Sequence, residues 1–363
     1  MPILPFYAEE LGASATQLGA ILAAYAAAQL VCAPLWGRLS DRVGRRPVML
    51  LTIAGTGLSL LLLGLAPSLL WVLAARILGG GFAANISVAT AYVADITDES
   101  ERTRWMGMIG ASFGIGFVLG PAIGGALAPF GEQVPMLVAA GLAAVNLVHA
   151  AFSLTEPERH EDREDDGAGR GAALRDPRVR RLCLANFVFA VAVTQLETVF
   201  AYYMLHRFHY DATQVAAILV GMAVVMGGIQ GGGMKALSAR FDERTLVVSG
   251  CALLAGAFLW IPGAGSVGVL LVPLFIASAG RAVAQPSLLS LVSLSATVSQ
   301  RGTVMGTFQA SASLARVLGP LAGGWLYDRE MGLPFLLAAA LLAGLALAGR
   351  ALPSRQTASA LAP

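Results

Sequence analysis

Stretches of about twenty apolar residues, each long enough to cross a bilayer as a helix, recur along the whole chain and leave it one kind of solvent. They run at 17–37, 47–66, 69–93, 104–128, 133–154, 183–204, 212–236, 245–262, 267–291, 302–325 and 332–350. A chain that is 56% hydrophobic and 13% charged is too apolar for a soluble domain. In hydrocarbon every backbone amide must find its partner inside the membrane structure, so a span is a helix or a strand of a closed barrel. These runs are too long and too evenly apolar for barrel strands. The expected fold class is therefore all-α and polytopic. Met1-Pro2-Ile3-Leu4-Pro5-Phe6-Tyr7 reads as the outer stub of a first helix, which makes eleven complete spans plus a stub of a twelve-helix pattern.

The basic residues sort themselves between alternate loops. Arg38, Arg42, Arg45, Arg46, Arg102, Arg104, the seven arginines from Arg159 to Arg181, Lys235, Arg240, Arg244, Arg301, Arg350 and Arg355 fall on one side, whereas the other holds Arg207 and Arg329. By the positive-inside rule the 38–46 loop, the 155–182 segment and the C-terminus are cytoplasmic. The charges of 156–181 alternate in sign without an aromatic residue, the pattern of a solvated linker and not of a nucleic-acid surface. The expected organisation is an N-terminal bundle at 1–154, a linker at 155–182, a C-terminal bundle at 183–351 and a tail at 352–363.

The two halves repeat one another. Glu101-Arg102-Thr103-Arg104-Trp105-Met106-Gly107 and Gly120-Pro121-Ala122-Ile123-Gly124-Gly125 match Gln300-Arg301-Gly302-Thr303-Val304-Met305-Gly306 and Gly319-Pro320-Leu321-Ala322-Gly323-Gly324 at an offset of 199. Ala15-Thr16-Gln17 matches Ala212-Thr213-Gln214 at 197, and Leu39-Ser40 with Arg42 matches Leu237-Ser238 with Arg240 at 198. Two duplicated bundles joined by a long linker are the plan of a secondary transporter that exposes one site alternately to the two sides.

Gly37-Arg38-Leu39-Ser40-Asp41-Arg42-Val43-Gly44-Arg45-Arg46-Pro47 resembles the loop signature between the second and third helices of the major facilitator superfamily. Gly116-Phe117-Val118-Leu119-Gly120-Pro121-Ala122-Ile123-Gly124-Gly125 resembles the fifth-helix motif of its drug/proton antiporters, and the likeness to tetracycline efflux proteins and their relatives covers most of residues 2–330. Physically, Gly37 and Gly44 supply the backbone freedom of a tight reversal, and Pro47 starts the next helix where its missing amide costs nothing. The arginines can act as a topology anchor alone or as a charge latch. The resemblance implies the latch, carried by Asp41 and Arg42, with Gly44, Arg45 and Arg46 around them and Asp95 as a further member. In the second half the loop has decayed, with Ala239 opposite Asp41. The small residues of the fifth helix let backbones approach closely and Pro121 bends it, the makings of a seam between bundles. The resemblance also implies a first helix, part of which the stub does not supply.

Ionisable groups in mid-span are costly unless paired or facing water. Glu197 is the carboxylate placed deepest in a span, which marks it as proton carrier or as the partner of a static ion pair with Arg281 or Arg316. Arg76 opens Arg76-Ile77-Leu78-Gly79-Gly80-Gly81-Phe82-Ala83, which resembles a fourth-helix arginine motif associated with proton coupling. A lone arginine there can also snorkel to the interface. The fourth, seventh and tenth helices line the central cavity in this superfamily, which implies that Arg76, Glu197 and Arg281 surround one space. Tyr25, Gln29, Asn85, Gln195, Tyr202 and Gln285 are candidate substrate contacts, or merely interhelix hydrogen bonds.

Cys32, Cys183 and Cys251 and the four histidines show no disulfide or metal spacing, and no phosphate-binding lysine loop is present. The expectation is therefore no enzyme, no cofactor, no metal and no nucleic-acid partner. The chain reads as a monomeric, proton-coupled exporter of small lipophilic or amphipathic compounds such as drugs, in the bacterial inner membrane. An importer or metabolite exporter of the same superfamily, or a non-transporting truncated membrane protein, are the alternatives.

Overall fold

The computed structural model describes residues 3–83, 85–157, 176–295 and 301–349, and all regular structure among them is helical. The linker residues 158–175 and the tail 352–363 lie outside the described residues, as do the charges expected there. Of the described residues, 3–157 with 210–217 form one compact unit, and 176–209 with 218–349 form the other.

The first unit holds α1 (Leu4–Glu10), α2 (Ala15–Val43), α3 (Arg45–Gly64), α4 (Leu69–Phe82), α5 (Asn85–Ile96), α6 (Glu99–Leu127) and α7 (Val134–Ser153). The second holds α8 (Pro177–Phe208), the greater part of α9 (Ala212–Gly228), α10 (Met234–Arg240), α11 (Glu243–Trp260), α12 (Val267–Leu294), α13 (Arg301–Arg329) and α14 (Leu333–Ala348). Nine stretches among the described residues are long and apolar enough to cross a membrane. The other two of the eleven expected spans are helices of a different kind. Leu333–Ala348 is short, and Arg301–Arg329 carries Gln309, Ser311, Ser313 and Arg316 among its apolar residues. The expected span 69–93 is likewise interrupted, α4 ending at Phe82 and α5 beginning at Asn85.

The duplication reappears as chemistry at two helix starts. Ser14 Oγ accepts from the Gln17 amide at 3.3 Å while Gln17 Oε1 accepts from the Ser14 amide at 2.9 Å. Asp211 and Gln214 make the same reciprocal box ahead of α9, at 2.8 and 3.0 Å. Each box satisfies amides that a helix start would otherwise leave orphaned.

Small residues set the helix spacing in both units. A Cβ on Gly80 of α4 would collide with the Tyr25 carbonyl of α2, and one on Gly250 of α11 would come within 2.7 Å of the Gly280 carbonyl of α12. Backbones that approach so closely gain the packing that holds helices together in lipid, where burying apolar surface provides no drive. In the first unit Leu4, Tyr7, Ile21, Leu63, Ala66, Val72, Ala75 and Met136 form a tight apolar cluster, and the Tyr7 hydroxyl donates to the Ala66 carbonyl at 2.7 Å.

Candidate functional site

Two clusters of charge stand out, one in each unit. In the first, the turn between α2 and α3 gathers around Arg45. Its Nη1 lies 2.5 Å from Asp41 Oδ1 and 2.6 Å from Ser40 Oγ, and its Nε donates to Asp95 Oδ2 of α5 at 2.8 Å. The Arg45 side chain is 12% exposed and Asp41 60%, so one guanidinium sits inside while its first partner reaches out. Of the residues named for the latch, Asp41 and Asp95 thus both meet Arg45, four residues beyond Asp41. The reason is geometric. Gly44 at φ +119° ends α2 and turns the chain back, which brings Arg45 beside both Asp41 and the end of α5. Gly37, expected to share in the reversal, instead lies inside α2 with open space around it, its carbonyl accepting from Ser40 Oγ at 2.7 Å, and the reversal falls at Gly44 alone.

Sequence reasoning missed the residue opposite this turn. Glu156, just beyond α7, accepts the Arg45 amide on Oε1 at 2.6 Å and the Arg46 amide on Oε2 at 3.0 Å. The Arg46 side chain in turn donates to the Ala151 carbonyl at 2.7 Å. Nothing in the sequence pointed to Glu156 except its place at the exit of a span beside a basic loop.

In the second unit Glu197 of α8 meets Arg281 of α12, Oε1 to Nη1 at 2.6 Å, with the Glu197 side chain 47% exposed and that of Arg281 29%. Arg281 Nε also points to Gln285 Oε1 at 3.4 Å, one turn further along α12. Of the two arginines considered for Glu197, the structure thus selects Arg281. Arg316 is exposed on α13, with its Nη2 3.5 Å from Ser313 Oγ.

The remaining candidates divide. Arg76 lies with its guanidinium 4.0 Å from the centroid of the Tyr25 ring, a cation–π contact between α4 and α2 that Gly79 and Gly80 make room for. Gln29 Nε2 donates to the Ala83 carbonyl at the α4–α5 break, 3.1 Å away, and Asn85 Nδ2 reaches Thr56 Oγ1 at 3.4 Å. Gln285 is exposed. Two candidate substrate contacts lie between helices in this structure. Gln195 is fully buried and donates to the Gly319 carbonyl of α13 at 3.1 Å, while Tyr202 is 2% exposed with its ring edge-on to Tyr327. Both tie α8 to α13.

The duplicated glycine motif behaves differently in its two copies. On α13 a Cβ on Gly319 would collide with Thr194, and one on Gly323 would stand 3.0 Å from Gln195 Oε1. On α6 the corresponding Gly120 has open space, as Gly116 does. Gly124 lies against Ile3, and Gly125 against Ala216 and Thr213, whose Oγ1 donates to the Gly125 carbonyl at 2.8 Å. Pro121 lies inside α6, as Pro320 does inside α13. The seam read from this motif is therefore occupied only at its Gly124–Gly125 end within the first unit.

Duplicated helical units rich in membrane-spanning stretches, with charge networks and a glycine–proline helix in each, define a polytopic membrane transporter. The family model for the Major Facilitator Superfamily matches residues 1–320, with a second match over 234–361, and the chain belongs to that superfamily. It is 34% identical over 337 residues to the class D tetracycline resistance protein of Salmonella ordonez, covering 91% of this chain and 85% of that one. It is 32% identical over 351 residues to multidrug resistance protein 2 of Bacillus subtilis, covering 93% and 86%. Among solved structures, the human organic anion transporter MFSD10 (TETRAN) is 30% identical with a TM-score of 0.66, covering 91% of this chain and 82% of that one. The nucleoside transporter NupG has a TM-score of 0.77 at 14% identity, covering 94% and 91%, which is a likeness of fold. The chain is thus a superfamily transporter, not an enzyme, and resembles tetracycline and multidrug efflux proteins.

Proposed function

We propose that this transporter exports small lipophilic or amphipathic compounds in exchange for protons, its two bundles rocking about an alternately exposed site. The observation that carries the proton half of the reading is the partly open Glu197–Arg281–Gln285 row, with its 2.6 Å ion pair. A proton on Glu197 removes the charge that holds Arg281, and a departing proton restores it, so a single carboxylate can link protonation to the state of the site. Kinship with tetracycline and multidrug resistance proteins supports the export half. The basic loop at Arg38–Arg46 and the strong bias of Lys and Arg to its side support a cytoplasmic Arg45 network, linker and C-terminus in a bacterial inner membrane. There the Asp41–Arg45–Asp95 network acts as the gate that opens once per cycle. Arg76 and Arg316 complete the set of charges we assign to coupling.

A second reading concerns charge. The human relative MFSD10 is an organic anion transporter, and Arg281 is suited to accept the negative group of a substrate when Glu197 is protonated. The test is accumulation of tetracycline and ethidium in efflux-deficient cells, with and without a protonophore. Expression of this chain is expected to lower accumulation, the protonophore to restore it, and Glu197→Gln to abolish the difference. Export that survives the protonophore would overturn proton coupling.

A further inference from the structure

The helix that begins at the gate has no cap of its own. α3 opens Arg45-Arg46-Pro47, and Gly44 before it has no side chain to fold back over the first turn. Pro47 has no amide to satisfy, but the Arg45 and Arg46 amides do need acceptors. The positive end of the helix also carries two arginine side chains, the wrong sign for that position. Glu156 answers both needs, one carboxylate oxygen to each amide. It sits so near the turn that a Cβ on Gly44 would lie 2.6 Å from its Oε1.

The same short segment is held at two further points. Arg46 binds the Ala151 carbonyl, and the Tyr92 hydroxyl of α5 donates to the Thr155 carbonyl at 3.0 Å. Tyr92 lies one turn before Asp95 on the same helix face. The stretch Ala151–Glu156 therefore touches the start of α3, which carries Arg45, and α5, which carries Asp95.

We propose that Glu156 is a positioning residue of the gate, fixing where α3 begins so that the single guanidinium of Arg45 spans Asp41 and Asp95. The proposal rests on the reading of that network as a gate. Glu156 itself touches no substrate. It acts through Arg45, and because it is the first charged group of the segment leaving α7, movement of that segment shifts the start of α3 and both ion pairs together.

Two measurements on purified full-length protein test this. Hydrogen exchange read by mass spectrometry compares the wild type with Glu156→Ala, and with Glu156→Gln should the alanine variant fold poorly. Faster exchange is expected in peptides covering both 37–50 and 89–97; a change confined to the first, or none in either, would overturn the proposal. Tetracycline uptake into inverted vesicles is the second measurement. Glu156→Ala is expected to lower the maximal rate roughly ten-fold at unchanged KM, the equivalent of one charge-assisted hydrogen bond. Glu156→Gln, which keeps a neutral acceptor, should recover part of the rate. The double variant with Asp95→Asn should be no slower than the slower single, because both act through Arg45. Independent, multiplying losses or a wild-type rate in Glu156→Ala would overturn the proposal. A wild type that moves neither tetracycline nor ethidium would count against the proposed transport activity, and the exchange result would still decide the role of Glu156.

Discussion

At the repeat offset of 198, Gly44-Arg45-Arg46-Pro47 in the first half stands opposite Asp242-Glu243-Arg244-Thr245 in the second. Both begin a helix, α3 and α11, by opposite means. Asp242 caps α11 locally, its Oδ1 accepting the Thr245 amide at 3.1 Å, and Glu243 places negative charge in the first turn. α3 has neither device and borrows a carboxylate from Glu156, on the far side of four intervening α-helices in the chain. A local cap is fixed as soon as its own turn forms. A remote cap holds only while two distant segments stay together, so the first start can respond to movement elsewhere and the second cannot. The difference teaches that losing the loop motif in the second half went with a self-sufficient helix start.

The sharpest way to break this comparison is to remove the arginines. Arg45→Ala is expected to reduce tetracycline export by about ten-fold or more, since it takes from Asp95 and Asp41 the guanidinium they share. Arg244→Ala, which loses a 3.1 Å bond from Nε to the Gly349 carbonyl, should cost less than about three-fold. Equal losses would mean the two loops work alike. Next come the starts themselves, compared by thermal unfolding in detergent. Gly44→Ala must both adopt φ +119° and displace Glu156, and should destabilise by about 2 kcal/mol. Asp242→Ala should cost about 1 kcal/mol, the usual worth of an N-cap. The reverse order would refute the distinction between remote and local caps.

A further contrast lies at the opposite end of the first unit, where Glu132 follows α6. Burial, then the charges of Glu10 and Asp211, push its carboxyl up to about 7. A carboxyl raised in the folded state binds its proton more tightly there than in the unfolded chain. The stability it contributes is therefore fully present below the ordinary value near 4.5 and is lost as pH rises through about 7. Unfolding measured from pH 4.5 to 8 should show this decline, and Glu132→Gln should flatten it.

Local features were legible in the sequence, because a single turn of chain decides them. The apolar runs read as helices and form them, and the matched Ala15-Thr16-Gln17 and Ala212-Thr213-Gln214 stand at two like helix starts. The turn read over Gly37 to Pro47, however, narrows to Gly44, since α2 runs on to Val43 and α3 begins at Arg45. Depth in a span marked Glu197 and Arg281 as a pair worth considering, since an isolated charge there is costly. Which arginine would meet Glu197 was not written locally, and packing of α8 against α12 chose Arg281 over Arg316. Packing also placed Gln195 and Tyr202 in the α8–α13 seam and made Arg45 the hub of the turn.

The sequence by itself determined a polytopic helical protein, duplicated, with its charge gathered at one turn and in mid-span, because periodicity, composition and cap chemistry act within a few residues. Only the tertiary structure decided which charges meet and which carboxylate caps α3. Asp95, Glu156 and Arg281 each lie far along the chain from the group they meet, so only the packing of whole helices could bring them together.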